Sequence, residues 1–145
     1  MRESGNREPE PAAIPVEPPR PRRVLVVDDD GEILELTRMI LRDGGYEVRT
    51  QGSGEAALRE TRRWGPDLIL LDINMPQING LEFLGHAKAN PTFARVPVVI
   101  VSTEGKDDDI LRGLKAGAAA YIKKPFQREQ LIQVIGRLQA HESAA

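Results

Sequence analysis

Two apolar periods alternate five times along this chain, and that alternation constrains the fold more than any other feature. Val24–Val27, Leu68–Leu71 and Val96–Val101 are short apolar runs, the first of them β-branched and aliphatic, the signature of strands covered on both faces. Tyr46–Thr50 alternates in the manner of a strand, and Ala119–Ile122 supplies a fifth run. Between these runs apolar side chains recur at helical spacing: Ile33, Leu36 and Ile40 with Leu34 and Leu41, then Ala56–Leu58, then Leu81, Phe83, Leu84 and Ala87. Ile110–Ala116 continues the pattern, and Leu131, Val134, Ile135 and Leu138 close it. Gly44-Gly45, Gly65-Pro66 and Asn90-Pro91 supply breaks, and Ser53 is placed to cap a helix. Strands that alternate with helices predict a parallel sheet with right-handed crossovers. The predicted fold class is therefore α/β, a doubly wound five-stranded parallel sheet with helices on both faces.

One domain suffices for 145 residues. The first 23 residues hold six of the eleven prolines and nine charges among few large apolar groups, a composition that cannot bury a core. The predicted organisation is a disordered Pro-rich tail over 1–22, one domain over 23–140 and a short tail over 141–145. Arg20, Arg22 and Arg23 read as a solvated linker rather than a basic binding patch. Twenty basic against twenty-two acidic residues give a net charge of −2, so no global field favours nucleic acid or anionic lipid. The absence of cysteine removes disulfides, thiolate metal sites and thiol nucleophiles. No apolar run approaches the ~20 residues of a membrane span. A cytoplasmic protein with no membrane and no direct nucleic acid partner is expected.

In doubly wound sheets ligands sit beyond the carboxyl ends of the strands. At those positions stand Asp28-Asp29 after the first run, Asp72 after the third, Ser102-Thr103 after the fourth and Lys124-Pro125 after the fifth. Carboxylates without His or Cys make an all-oxygen site, which suits Mg2+ better than zinc. An amine and hydroxyls are donors that such a cation does not use, whereas a phosphoryl group uses them all. One carboxylate as a nucleophile toward phosphorus, giving an aspartyl phosphate neutralised by the metal and Lys124, fits this set. There is no GxxxxGK[ST] or GxGxxG loop after the first strand, so nucleotide binding finds no support.

Together the segments VVDDD, LLDINMP, VIVST and YIKKPF resemble the receiver domain of two-component response regulators, of the chemotaxis-type, single-domain kind, across about residues 22–140. The resemblance implies a flavodoxin-like receiver fold and makes Asp72 the phosphoacceptor, served by a sensor histidine kinase or a histidine phosphotransfer protein. It implies that Asp29 and Asp72 ligate Mg2+ with the backbone carbonyl of Asn74, while Asp28 helps through water. Ser102 and the backbone N–H of Thr103 would hold phosphoryl oxygens, and Lys124, before a cis peptide, would pair with another. Tyr121 resembles the aromatic that swings inward when Ser102 moves, altering a surface on helix 4, strand 5 and helix 5. By resemblance to chemotaxis-type receivers, Asn74 and Glu104 would occupy positions whose side chains govern access of hydrolytic water to the phosphoryl group. Thr103 is bulkier than the residue the family commonly has there, which predicts slower entry into the pocket. Asp30 matches no fixed family role and reads as a helix-start acid.

The last helical repeat ends near residue 138, so the resemblance implies output through a separate downstream protein of unknown identity. It implies a monomer or weak phosphorylation-dependent dimer, and no enzyme beyond self-phosphorylation and autodephosphorylation at Asp72. Two rivals remain. A haloacid dehalogenase-type phosphatase would use Asp28 as nucleophile and Asp30 as acid/base, although Glu32 departs from that pattern. A phosphorylation-independent adaptor would use neither. Asp107–Asp109 read as a solvated helix start, His86 and His141 as surface residues, and Trp64 as packing at a helix end.

Overall fold

The structure, a computed structural model, describes residues 22–75, 80–103 and 107–144, with side chains as far as residue 138. Nearly all of the expected tail, the side chain of His141 and all of Glu104 lie outside the described residues. In chain order the elements are β1 (Arg23–Val27), α1 (Gly31–Asp43), β2 (Glu47–Gln51), α2 (Gly54–Trp64), β3 (Leu68–Asp72), α3 (Gly80–Ala89), β4 (Val98–Thr103), α4 (Asp107–Lys115), β5 (Ala120–Lys124) and α5 (Arg128–Ala144). The five strands form one parallel sheet in the order β2-β1-β3-β4-β5. The doubly wound α/β class is thus the observed one.

The period-2 rule of a strand explains how one sheet feeds two cores. Leu25, Val27, Ile69, Leu71, Val98 and Ile100 pack with Ala57, Trp64, Phe83, Leu84 and Ile110 of α2, α3 and α4. Their neighbours Val24, Val26, Leu68, Leu70, Val99 and Val101 pack with Ile40, Leu41, Leu131 and Ile135 of α1 and α5. Because β1, β3 and β4 are inner strands with helices on both faces, their residues from Val24 to Val27, Leu68 to Asp72 and Val98 to Ser102 are buried without a break.

Strand limits differ from the sequence expectation by one or two residues. β4 starts at Val98, not Val96, because Pro97 has no N–H for the ladder. β2 and β5 are edge strands with mixed polarity, and each runs past its expected end, to Gln51 and Lys124. The fourth helix begins at Asp107, so Asp107–Asp109 form the helix start expected of them, an acidic first turn ahead of the apolar Ile110. Caps follow the expected chemistry. Asp30 accepts hydrogen bonds from the N–H groups of Glu32 and Ile33, Ser53 accepts from Ala56, and Gly65 ends α2 in the left-handed region at φ 71°.

Trp64, the last residue of α2, is buried as a packing residue, with the guanidinium groups of Arg49 and Arg23 at 4.8 and 5.6 Å from its ring centroid. Arg49 also donates to Glu60 at 2.7 Å, and Gln51 donates to the same carboxylate at 2.9 Å. This cluster ties β2 to α2. No described helix is long and apolar enough to cross a membrane.

Candidate functional site

Parallel strands place their carboxyl ends on one rim, so residues distant in sequence meet there. In register, Val27 of β1 stands beside Leu71, Asp72 beside Val101, Ser102 beside Lys123 and Thr103 beside Lys124. Asp28 is held just past β1 by its own N–H, which donates to the Gln51 carbonyl at 3.1 Å. Its Oδ1 accepts the Asp30 N–H at 2.9 Å, which turns the chain into α1. Asp72 ends β3, and its Oδ1 accepts the Asn74 N–H at 2.8 Å, an Asx turn that fixes the carboxylate beside the loop. Gly80, at the start of α3, makes the loop's path possible: a Cβ there would lie 2.4 Å from the Cα of Ile73 and 2.9 Å from the Asp72 carbonyl oxygen.

Asp28, Asp29 and Asp72 each offer a carboxylate oxygen within 4.8 Å of the others. Asp28 and Asp72 are buried, whereas Asp29 is exposed. Two carboxylates taken from water side by side repel, and one ammonium group answers them. Lys124 Nζ lies 2.6 Å from Asp28 Oδ2 and 3.4 Å from Asp72 Oδ2, and the Lys124–Pro125 peptide is cis. Burial pushes the Asp72 carboxyl above its ordinary value, and the Asp28 charge adds to the rise; the Asn74 N–H and Lys124 oppose it without cancelling it. Burial works against the charge on Lys124, yet its hydrogen bond to Asp28 and the charges of Asp72 and Asp28 outweigh that and raise its pKa. The site is thus short of positive charge. An all-oxygen trio with two buried members is a donor set suited to a hard divalent cation.

The hydroxyl and amide donors sit on the far side of Asp72. Ser102 is fully buried at the end of β4, and the exposed Thr103 follows it. The Thr103 N–H donates to Asn74 Oδ1 at 3.2 Å, and Ser102 Oγ lies 3.4 Å from the same oxygen. Asn74 Nδ2 in turn donates to Asp109 Oδ2 of α4 at 3.0 Å. The sequence reading gave Asn74 a carbonyl ligand and a role in water access, but it treated Asp109 only as a solvated helix-start acid. The missed contact joins residues 35 positions apart, and no local signal marks it. Asp107 pairs instead with Lys123 at 2.9 Å.

The remaining expected residues are elsewhere. Tyr121 is on β5 and 46% exposed, lining an open, largely apolar groove with Leu114, Ala119, Val134, Leu138 and the charged Arg137, a set that includes none of the carboxylates. The Asp30 carboxylate is turned toward α1. His86 is exposed on α3.

The family model for the response regulator receiver domain matches residues 24–136. The chain belongs to the response regulator receiver family. The DNA-binding response regulator MtrA of Mycolicibacterium smegmatis is 35% identical over 122 residues, covering 83% of this chain and 52% of that protein. The phosphate regulon transcriptional regulatory protein PhoB of Escherichia coli is 35% identical over 111 residues, 77% of this chain and 48% of that protein. This receiver chain therefore spans about half the length of the curated relatives it matches. Among solved structures, a response regulator described as putative from Chloroflexus aurantiacus superposes with a TM-score of 0.80 at 32% identity, covering 83% of this chain and 98% of that one. The chemotaxis protein CheY4 of Vibrio cholerae gives 0.77 at 32% identity, covering 81% and 98%. Receiver domains are phosphoryl-accepting regulators of two-component systems, supplied by histidine kinases.

Proposed function

We propose that this chain is a Mg2+-dependent switch that accepts a phosphoryl group on Asp72 from the histidine of a sensor kinase or phosphotransfer protein, and thereby controls binding of a separate partner. The observation that carries this reading is the meeting of Asp28, Asp29 and Asp72 within 4.8 Å, with Lys124 Nζ 3.4 Å from the Asp72 carboxylate. Asp28, Asp29, Asp72 and the backbone carbonyl of Asn74 would hold the metal. Bound there, it supplies positive charge against the entering phosphoryl oxygens.

The Asp72 carboxylate attacks phosphorus as the phosphorus–nitrogen bond to histidine breaks, and the imidazole leaves with the electron pair. Lys124 pairs with a phosphoryl oxygen, while the Ser102 hydroxyl and the Thr103 N–H donate to others. Charge is the obstacle: burial and the Asp28 charge raise the pKa of Asp72, so compensating positive charge is needed to keep it the nucleophilic carboxylate. The functional unit in this proposal is residues 23–140, and its output is read on α4, β5 and α5, with Ser102 and Tyr121 as switch residues. The apolar groove beside Tyr121 supports that surface as a docking face.

The phosphatase alternative receives less support, because Asp30 Oδ1 already accepts the N–H groups of Glu32 and Ile33 and so faces away from the cluster as a helix cap. Incubation with phosphoramidate and Mg2+ tests the choice. One phosphoryl group on the wild type and none on Asp72→Ala is the expected result. Label that survives Asp72→Ala and disappears in Asp28→Ala supports the phosphatase, and no label on the wild type supports the adaptor.

A further inference from the structure

The side chain of Asn74 engages the Thr103 N–H and stands beside the Ser102 hydroxyl, two donors that the proposed phosphoryl group needs. Its Oδ1 accepts the Thr103 N–H at 3.2 Å and sits 3.4 Å from Ser102 Oγ, and its Nδ2 holds Asp109 Oδ2 at 3.0 Å. Asp109 lies in the first turn of α4 and also accepts from Arg112 at 3.1 Å, so the amide bridges the rim of β4 to the start of that helix. An amide oxygen here is a neutral stand-in for a phosphoryl oxygen: it takes the Thr103 N–H and stands near the Ser102 hydroxyl, whose one proton is equally near the Thr103 carbonyl at 3.4 Å, and it adds no negative charge beside Asp28 and Asp72.

We propose that Asn74 is a resting-state latch, a positioning residue whose carboxamide fills the phosphoryl-oxygen position and tethers Asp109, so that phosphorylation of Asp72 displaces it and releases the start of α4. The inference rests on the reading of Asp72 as phosphoacceptor. It adds a direct path from the pocket to α4, through one side chain and separate from Tyr121. The displacement is a competition between acceptors. An anionic oxygen makes a stronger hydrogen bond to Ser102 and Thr103 than an amide does, so the latch lowers affinity for the phosphoryl group without preventing entry.

The test uses the full chain, with beryllofluoride and Mg2+ as the phosphoryl stand-in. Removing a competitor for the Thr103 N–H predicts about five- to tenfold tighter beryllofluoride binding in Asn74→Ala, the effect of one net hydrogen bond. Asp109→Ala, which cuts only the α4 end, is expected to tighten binding about two- to threefold. Mg2+ affinity measured alone should stay within about twofold in both, because the metal would use the Asn74 backbone carbonyl, which neither change removes. The Thr103 amide resonance reads the latch itself. In the metal-free protein it should shift on Asn74→Ala, and in the wild type it should shift on adding beryllofluoride together with the amides of Asp109 and Ile110. Unchanged or weaker beryllofluoride binding in both variants overturns the latch, provided the wild type binds. A wild type that neither binds beryllofluoride nor labels on Asp72 overturns the underlying reading, and the latch with it. Both residues carry exposed or half-buried side chains, so urea denaturation should show both variants folded.

Discussion

Gly80→Ala and Gly85→Ala place the same methyl group five residues apart on α3, and the structure gives them opposite signs. At Gly80 the new Cβ would stand 2.4 Å from Ile73 Cα, 2.8 Å from Ile73 Cγ2 and 2.9 Å from the Asp72 carbonyl oxygen. Ordinary carbon contacts need about 3.5–4.0 Å, so the shortfall against the Ile73 backbone exceeds ~1 Å. Two of the three obstructing atoms are main chain, and no rotamer change removes them. Either α3 or the Asp72–Ile73 segment must move, and overpacking of this kind costs about 1–3 kcal/mol. Alanine returns little helix propensity at a first helical position, so the net effect is a loss of about 1–2 kcal/mol. At Gly85, exposed and mid-helix with nothing within 4 Å, the same change gains about 1 kcal/mol. Urea denaturation reads both: with a slope of about 2 kcal/mol per molar, the midpoints should part by about 1–1.5 M. A shift of Asp72 by about 1 Å also predicts phosphoramidate labelling slowed by up to ~100-fold in Gly80→Ala alone. Equal midpoints, or a stabilised Gly80→Ala that labels at the wild-type rate, refute the claim that this glycine sets the position of Asp72.

Mg2+ at a hundredfold excess over its dissociation constant should stabilise the wild type by about 2.7 kcal/mol, and chelation should remove the gain. In Asp29→Asn, a change at an exposed ligand, metal-free stability should stay within about 0.5 kcal/mol while most of the Mg2+ gain disappears. A thermal melt with and without the ion measures both. Glu60 supplies a pH prediction away from the pocket. The Arg49 hydrogen bond, helped by Gln51, outweighs burial and holds its carboxyl below the ordinary value. A depressed folded pKa stabilises above the unfolded value of about 4.3 and is lost as pH falls through the folded value. Glu60→Gln should therefore lower stability at pH 7, and the gap to the wild type should narrow as pH falls below about 4 in a urea series.

The inner strands were legible because each is covered on both faces, which turns burial into an unbroken apolar run at Val24–Val27 and Leu68–Leu71. The edge strands β2 and β5, reading EVRTQ and AYIKK, carry no such run, and their limits slipped accordingly. Most of the polar site was legible for a geometric reason. A parallel sheet puts every strand's carboxyl end on one rim, so Asp28, Asp72 and Ser102 needed only their place after a strand to be found. Lys124 followed from the same rule, although its closer partner is Asp28, at 2.6 Å, rather than Asp72. The Asn74–Asp109 bridge was not legible, because it depends on how α4 is set against the loop after β3. The Arg49–Trp64–Glu60 cluster was hidden for the same reason: its members lie on different elements and meet only when α2 covers β2.

Which carboxylate becomes esterified decides whether Asp72 is the phosphoacceptor. Borohydride reduction of the phosphoramidate-treated protein, followed by tandem mass spectrometry, converts an aspartyl phosphate to homoserine and so marks its position. Homoserine at residue 72, formed only when Mg2+ is present, is the predicted result; homoserine at residue 28, or conversion at no aspartate, contradicts it.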